Sequence, residues 1–302
     1  MHQGLHQKGL KKTAQLGVFM HDEKFIRLFE RKARRTIRDY KLLNRKDKVV
    51  VAASGGKDST TCLYLLKKFG YNAEALMVDL KIGSWSRTNR KNLEKFCKDN
   101  SIRLHVIDVQ KDLGYSMCYI RSVIRSKTRL KNCTICGVLR RWLVNRKARE
   151  LGAAKLATGH NLDDEAETIL MNMFKKNVSL SIGLGPKSGV VKDKRFVQRI
   201  KPLYFLPKKD IEKYSRLMKF PVQYKPCPCI SEAFRKDVRD LLDKLEKRVV
   251  EVKSNIVMSF LETQPYLKKA YKSDAKLRYC RQCKEPSRDD ICYACKLMGM
   301  LK

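Results

Sequence analysis

The sequence predicts an α/β protein with a parallel sheet, helices on both faces of that sheet, and a small zinc-finger module at its C-terminal end. Strand-like and helix-like segments alternate along the chain, which favours parallel strands joined by helices. One apolar, β-branched run leads directly into a glycine-rich loop, and four cysteines in two C-x-x-C pairs lie near the C-terminus. A length of 302 residues, 43% of them hydrophobic, suffices for one large domain with appendages.

Residues 1–46 are predicted to form an N-terminal segment with a basic helix. Residues 1–20 show no sustained periodicity, so we expect a weakly ordered lead-in. From His21 to Leu43, Phe25, Phe29 and Ile37 recur at helical spacing. The other faces of this helix are rich in arginine, namely Arg27, Arg31, Arg34, Arg35 and Arg38. A solvated face and a phosphate-binding surface both fit this pattern, and the arginine density favours the second.

Residues 47–275 are predicted to form the catalytic domain. Its first strand is Lys48–Ala53, followed by the glycine-rich loop and a helix that ends at Phe69. Further strands are expected at 73–80, 104–109, 155–158 and 196–202, and further helices at 89–100, 137–151, 163–175, 208–219 and 231–261. The segment 177–194 is rich in glycine and lysine without a clear period, which predicts a mobile basic loop close to the site.

The composition indicates a polyanionic partner. The chain has 67 Lys+Arg against 31 Asp+Glu, a formal net charge of +36, and RNA is the partner that fits best. No apolar stretch reaches the ~18–20 residues that span a bilayer, and no signal-peptide core is recognisable, so a cytosolic location is expected. Because that compartment keeps thiols reduced, clustered cysteines indicate metal binding or catalysis.

The glycine-rich loop is predicted to bind phosphate. Two adjacent glycines follow a strand and a hydroxyl residue precedes a helix, so backbone N–H groups can converge on an anion. The spacing differs from the G-x-x-x-x-G-K-[ST] loop of common nucleotide hydrolases. Lys57 would balance phosphate charge. The proposed loop residues are Ser54, Gly55, Gly56, Lys57, Asp58 and Ser59.

This hexapeptide resembles the signature of the PP-loop ATP pyrophosphatase superfamily, whose fold is adenine nucleotide alpha hydrolase-like. The string 157–166, Ala-Thr-Gly-His-Asn-Leu-Asp-Asp-Glu-Ala, resembles the second nucleotide-side motif of that family. The resemblance implies ATP and Mg²⁺ as cofactors, with AMP and pyrophosphate as products. It places Gly159 and His160 beside the nucleotide, and Asp163 or Asp164 as a Mg²⁺ ligand or general acid/base. Helix capping by an acidic pair, and a purely structural histidine, are the alternatives.

Four further cysteines are grouped in two pairs. Cys133 and Cys136 are predicted to lie directly before a basic helix, where the helix end and nearby cations would lower thiol pKa values. Zinc, a redox disulfide and iron-sulfur ligation all fit one C-x-x-C pair. Cys227 and Cys229, separated by a proline, add further thiols.

The PP-loop, the C-x-x-C pair and the late Cys-Pro element together resemble the tRNA 2-thiouridine synthetase branch. This resemblance implies a 4Fe-4S cluster on Cys133, Cys136 and Cys227 with one iron left open. Cys229 lies where another residue is expected, so an exchange with Cys227 or a sulfur-relay role stays open. The resemblance starts near His21 and departs at the front, because residues 1–61 contain no cysteine for an N-terminal zinc finger.

Residues 276–302 are predicted to form a C-terminal zinc finger. Two closely spaced C-x-x-C pairs are typical of a closed tetrahedral site for one structural Zn²⁺. The proposed ligands are Cys280, Cys283, Cys292 and Cys295.

The predicted reaction is adenylation of the C2 oxygen of a tRNA uridine, followed by sulfur transfer and release of AMP. Arg140 or Arg141 would steer the RNA backbone or the leaving group. The alternatives are a cysteine persulfide mechanism without a cluster, a PP-loop ligase or amidotransferase, and a non-catalytic RNA-binding protein. The choice between wobble and T-loop uridine, the sulfur donor (free sulfide, a cysteine desulfurase or a ubiquitin-like thiocarboxylate carrier) and homodimer formation stay open.

Overall fold

The structure is a computed structural model that describes residues 3–188, 193–229, 234–270 and 277–301, with side chains from His21 onward. The helices are α1 (Gln3–Asp39), α2 (Lys57–Lys68), α3 (Gly83–Asp99), α4 (Val109–Leu113), α5 (Met117–Lys127), α6 (Asn132–Glu150), α7 (Leu162–Phe174), α8 (Val178–Ser181), α9 (Lys208–Leu217), α10 (Phe234–Glu246), α11 (Val252–Ala270) and α12 (Tyr293–Gly299). The strands are β1 (Lys48–Ala52), β2 (Asn72–Asp79), β3 (Leu104–Asp108), β4 (Lys155–Ala157), β5 (Lys187–Ser188), β6 (Arg199–Ile200), β7 (Arg278–Tyr279) and β8 (Pro286–Ser287).

Six strands form one sheet in the order β3-β2-β1-β4-β6-β5. All neighbours are parallel except β5, which pairs antiparallel with β6. Strand β1 is central, and Val49 lies between Ala73 of β2 and Lys155 of β4. The chain order reverses between β1 and β4, and such a switch point leaves a crevice outside the carboxyl ends of the two strands. The predicted α/β fold is confirmed.

The sheet separates two hydrophobic cores because side chains alternate along β1. Val49 and Val51 pack with Phe29 of α1 and with α2 and α9 on one face. Val50 packs on the other face with α5 and α6, and Cys280 of the C-terminal module belongs to the same core. Helices therefore cover both faces of the sheet, as the sequence predicts.

The C-terminal module is joined to α6 through a buried carboxylate. Glu285 is 4% exposed and lies in the turn between β7 and β8. Its Oε2 accepts hydrogen bonds from Asn145 Nδ2 (3.1 Å) and Arg149 Nη1 (3.0 Å). A buried carboxylate needs such partners, so this pairing fixes the module against helix α6.

Two predicted segments differ in extent. Helix α1 begins at Gln3 instead of near His21, because residues 3–20 include many good helix formers that extend the packed helix. The predicted lead-in is therefore helical. Helix α6 begins at Asn132, so Cys133 and Cys136 lie within its first five residues and not before it.

Two other predicted segments are divided. The long helix expected at 231–261 is two helices, α10 and α11, with a break where Glu251 has a φ of +59°. The segment 177–194, expected to be a loop, contains α8 and β5, while residues 189–192 lie outside the described part of the chain. Among the described residues, no helix is long and apolar enough to cross a bilayer.

Candidate active site

Two loops meet at the carboxyl ends of β1 and β4. The loop after β4 approaches so closely that a Cβ on Gly159 would lie 2.7 Å from the carbonyl carbon of Asp58 and from the amide nitrogen of Ser59. A glycine is required there because no side chain fits between the two backbones. Asn161 Nδ2 also donates a hydrogen bond to Asp58 Oδ1 at 3.2 Å. The two motifs identified in the sequence therefore form one site.

The loop between β1 and α2 leaves a helix N-terminus open. Gly56 precedes α2 and provides no side-chain cap, so the first amide groups of the helix are available to an anion. The Ser54 amide donates to Ser59 Oγ (3.1 Å), and this hydroxyl donates to the Gly56 carbonyl (3.1 Å). Gly55 has a φ of +78°, and a Cβ there would lie 2.5 Å from the Asn89 carbonyl oxygen. These contacts give the loop a fixed shape that suits a phosphate.

Two carboxylates, that of Asp58 in this loop and that of Asp164 in α7, are close enough for their charges to interact. Lys57 Nζ lies 3.0 Å from both carboxylate oxygens of Asp58. Asp164 forms a capping box with Asn161, in which the Asp164 amide donates to Asn161 Oδ1 at 3.1 Å. Burial, with the charges of Glu167 and Asp58, raises the pKa of Asp164 to about 6. Two carboxylates that repel each other near a phosphate loop are a suitable set for Mg²⁺.

Asp163 has different partners. Its Oδ2 accepts a hydrogen bond from the Lys208 amide (2.7 Å), and its Oδ1 lies 2.8 Å from Lys253 Nζ. Both oxygens thus join α7 to α9 and α11. Of the two adjacent aspartates, Asp164 is the one whose charge is coupled to the loop.

His160 follows β4 and lies in a positively charged cleft at the carboxyl end of this strand. Its side chain is exposed to solvent, and its Nδ1 is 2.8 Å from Thr158 Oγ1. Loss of hydration in the cleft, followed by the charge of surrounding cations, lowers the pKa of His160 to about 3. These cations are Lys201, Arg235, Arg199 and Arg140. The ring is therefore neutral, and the cleft attracts anions.

The four thiols of the two cysteine pairs converge beside this cleft. The Cys133 thiol lies 3.7 Å from the Cys229 carbonyl oxygen. Cys227 contacts Cys229 and is close enough to Cys136 for their charges to interact. Burial raises the pKa of Cys136 and of Cys227, and it outweighs Arg140 and Arg121, which lower the pKa of Cys136. The expected lowering of the pKa is therefore wrong for Cys136.

A backbone contact joins the cysteines to the phosphate loop. Gly56 and Gln223 form an isolated parallel bridge. Trp85 fixes the same segment, because its Nε1 donates to the Lys225 carbonyl (3.3 Å) and its own carbonyl accepts from Gln223 Nε2 (3.2 Å). Cys227 thus lies only four residues beyond the residue that contacts the loop.

Helix α5 contributes two residues that the sequence did not single out as functional. Arg121 is buried, its Nη2 lies 3.3 Å from Cys118 Sγ, and its guanidinium also contacts the Cys229 thiol. The local sequence gave no signal for this contact, because Cys229 lies far away along the chain. Cys229 thus has a cationic neighbour, whereas Cys227 interacts with Cys136.

The C-terminal cysteines form a compact group. The sulfur atoms of Cys280, Cys283, Cys292 and Cys295 all lie within 4.8 Å of one another. The Cys292 amide donates to Cys280 Sγ at 3.2 Å. A tetrahedral ion fits this donor set. Among the described residues, this is the one group of at least three such side chains with so close a spacing.

Comparison with known proteins agrees with this geometry. A family model described as PP-loop domain matches residues 26–225. The tRNA-5-methyluridine(54) 2-sulfurtransferase of Pyrococcus horikoshii is 33% identical over 94% of this chain and 89% of its own length. The tRNA 2-thiolation protein NcsA of Haloferax volcanii is 32% identical over 96% and 95%. The structure of the U34-tRNA thiolase NcsA from Methanococcus maripaludis with its 4Fe-4S cluster has a TM-score of 0.75 at 30% identity, covering 92% of this chain and 89% of that one.

Proposed function

This chain belongs to the PP-loop family, in its tRNA 2-thiolation branch, and we propose that it is a tRNA 2-sulfurtransferase that replaces the C2 oxygen of a uridine with sulfur at the expense of ATP. The observation that best supports this function is the bridge between Gly56 and Gln223, which puts a phosphate loop and a thiol cluster in one cleft. A ligase or amidotransferase would have no use for these thiols.

The first half-reaction uses the loop and its carboxylates. The amide groups of residues 54–59 bind the ATP phosphates, Lys57 offsets their charge, and Asp58 with Asp164 would hold Mg²⁺. The C2 oxygen of the uridine attacks the α-phosphorus, the bond between the α-phosphorus and the bridging oxygen breaks, and pyrophosphate leaves. Because the His160 ring is neutral, the positive charge near the phosphates comes from the surrounding cations and not from this ring.

The second half-reaction uses the thiols. Cys133, Cys136 and Cys227 would hold a 4Fe-4S cluster, which when bound would supply an open iron for the incoming sulfur. Attack of sulfide on C2 breaks the C2–O bond and releases AMP. Arg140, which contacts Cys136, and the neighbouring Arg141 line this side of the cleft and would offset charge on the leaving group.

The remaining parts of the proposal concern partners and the C-terminal module. Cys280, Cys283, Cys292 and Cys295 would hold one structural Zn²⁺ that stabilises this module. tRNA is the proposed substrate and the cytoplasm the proposed location. Relatives named for position 54 and for position 34 of tRNA are similarly close to this chain. The assay described below therefore determines which uridine is modified. Free sulfide is the sulfur donor in that assay. The proposed function is also compatible with a homodimer.

The test is anaerobic thiolation of unmodified tRNA. Iron-reconstituted protein, ATP, Mg²⁺ and sulfide are incubated with tRNA, and nucleoside and fragment mass spectrometry locate any uridine that exchanges oxygen for sulfur. Cys227→Ser should lose the cluster absorbance and the thiolation, while Cys97→Ala, at a buried cysteine in the opposite core, should keep both.

Three outcomes would contradict parts of the proposal. Absence of AMP formation with tRNA present would refute the adenylation. Thiolation that persists in Cys227→Ser without iron would refute the role of the cluster, because free sulfide would then attack the adenylated uridine directly. Full activity after removal of Zn²⁺, with an unchanged melting temperature, would refute the structural role of the quartet.

A further inference from the structure

Two tyrosines form an exposed stack at the start of α5, the helix whose Arg121 contacts the Cys229 thiol. The rings of Tyr115 and Tyr119 have centroids 5.1 Å apart and planes inclined by 17°. Their residues are 39% and 49% exposed. Aromatic rings of this size usually gain free energy by burial, so an exposed pair in stacking geometry presents an unused flat surface.

The position of this pair at the N-terminus of α5, with Tyr115 just before the helix and Tyr119 in its first turn, relates it to the candidate active site. The Ser116 hydroxyl caps α5 by accepting a hydrogen bond from the Tyr119 amide at 3.3 Å. Cys118 directly precedes Tyr119 and contacts Arg121, which in turn contacts Cys229. Successive residues of a helix point about 100° apart. Cys118 therefore faces Arg121 on the side of the thiol site, while the adjacent Tyr119 faces solvent.

The charge around the pair is strongly positive. The segment 109–131 contains a single acidic residue, Asp112. Its cations are Lys111, Arg121, Arg125, Lys127, Arg129 and Lys131. Helix α5 itself has no acidic residue, and its exposed residues beyond Tyr119 include Ser122 and Ser126. Flat aromatic faces amid cations and hydroxyl groups are typical of sites for single-stranded nucleic acid.

We propose that the Tyr115–Tyr119 pair binds an unpaired nucleobase of the tRNA, next to the uridine that enters the cleft. This inference rests on the proposed function. A uridine must leave its stack to reach the thiols, and the adjacent base then loses a stacking partner. The tyrosine pair replaces this partner. Its rings are already held against each other, so binding orders few additional side-chain torsions.

The experiment compares two double variants. Tyr115→Ala/Tyr119→Ala removes the rings, whereas Tyr115→Phe/Tyr119→Phe keeps them and loses only the hydroxyl groups. Anticodon and T-loop hairpins are labelled with 2-aminopurine beside the target uridine, since its fluorescence is quenched on stacking. Affinity is measured by anisotropy for the hairpins and for a blunt RNA duplex of equal length, all without ATP.

The expected result is quenching with one hairpin by the wild type and the Phe variant. The Ala variant should bind this hairpin at least about fivefold more weakly, without quenching, and should bind the duplex within about twofold of the wild type. Equal hairpin affinity in all three proteins would overturn the inference, as would equal weakening for hairpin and duplex. If hairpin binding is unchanged and only transfer from a protein sulfur donor is lost, the pair binds a protein and the inference is wrong.

The two proposals can fail separately. Binding and quenching need neither ATP nor the cluster, so they report on the tyrosines even if the wild type thiolates no tRNA. Conversely, thiolation by an Ala variant with unchanged kcat/KM for tRNA would leave the proposed function intact and refute the role of the stack.

Discussion

Replacing Asp164 with asparagine should stabilise the protein while abolishing AMP formation. Burial and the charges of Glu167 and Asp58 raise the pKa of this carboxyl group from its ordinary value of 3.8 to about 6. The folded state thus holds the proton more tightly than the unfolded state. The protonated Asp164 carboxyl group makes its full contribution to the free energy of unfolding below about pH 4. This contribution is lost as the pH rises through about 6. The whole loss is about 3 kcal/mol.

Asparagine removes the charge but can still accept the hydrogen bond from the Asn161 amide. In urea unfolding without Mg²⁺, Asp164→Asn should therefore be more stable than the wild type by about 3 kcal/mol at pH 7.5 and by about half of that at pH 5. Asp99→Asn, at an exposed ion pair with Lys95, is the control and should change stability by less than about 0.5 kcal/mol. A gain that is the same at both pH values would refute the electrostatic argument.

Three further substitutions test other parts of the site. Gly159→Ala should raise KM for ATP at least about tenfold in an AMP-formation assay, because the new Cβ would lie 2.7 Å from the Asp58 backbone; an unchanged KM would contradict the close approach. Glu285→Gln should cost about 2–3 kcal/mol in thermal unfolding, since it weakens a buried contact with Arg149, and a loss below about 0.5 kcal/mol would show that the contact is dispensable. His160→Gln should leave the shape of the pH–rate profile between pH 5 and 8 unchanged, because the pKa of about 3 keeps the ring neutral; loss of an acidic limb would contradict this.

The sheet and the phosphate loop could be predicted because their signals are local. The β-branched run before Ser54 and the two glycines after it define strand, turn and helix within about twenty residues, and the structure confirms them. The convergence of the loop with residues 157–161 was predictable only through the family resemblance, since the close approach at Gly159 depends on the order of strands in the sheet.

The rest depends on contacts between distant segments. Adjacent aspartates look equivalent in the sequence, and it is Lys253, 90 residues away, that distinguishes Asp163 from Asp164. Helix α5 has apolar residues at helical spacing, but nothing in it indicates that Arg121 reaches Cys229. The division between α10 and α11 likewise depends on one backbone conformation at Glu251.

Because Gln223 is bridged to Gly56, the number of residues between Gln223 and Cys227 matters for function. The link from Gln223 to Cys227 is four residues long, so it behaves as a short tether whose reach is set by backbone geometry. Each inserted residue would add up to about 3.5 Å to that reach and would separate the sites of activation and delivery without altering either one. This interval is therefore expected to be far less tolerant of insertions than the surface loops of the protein are.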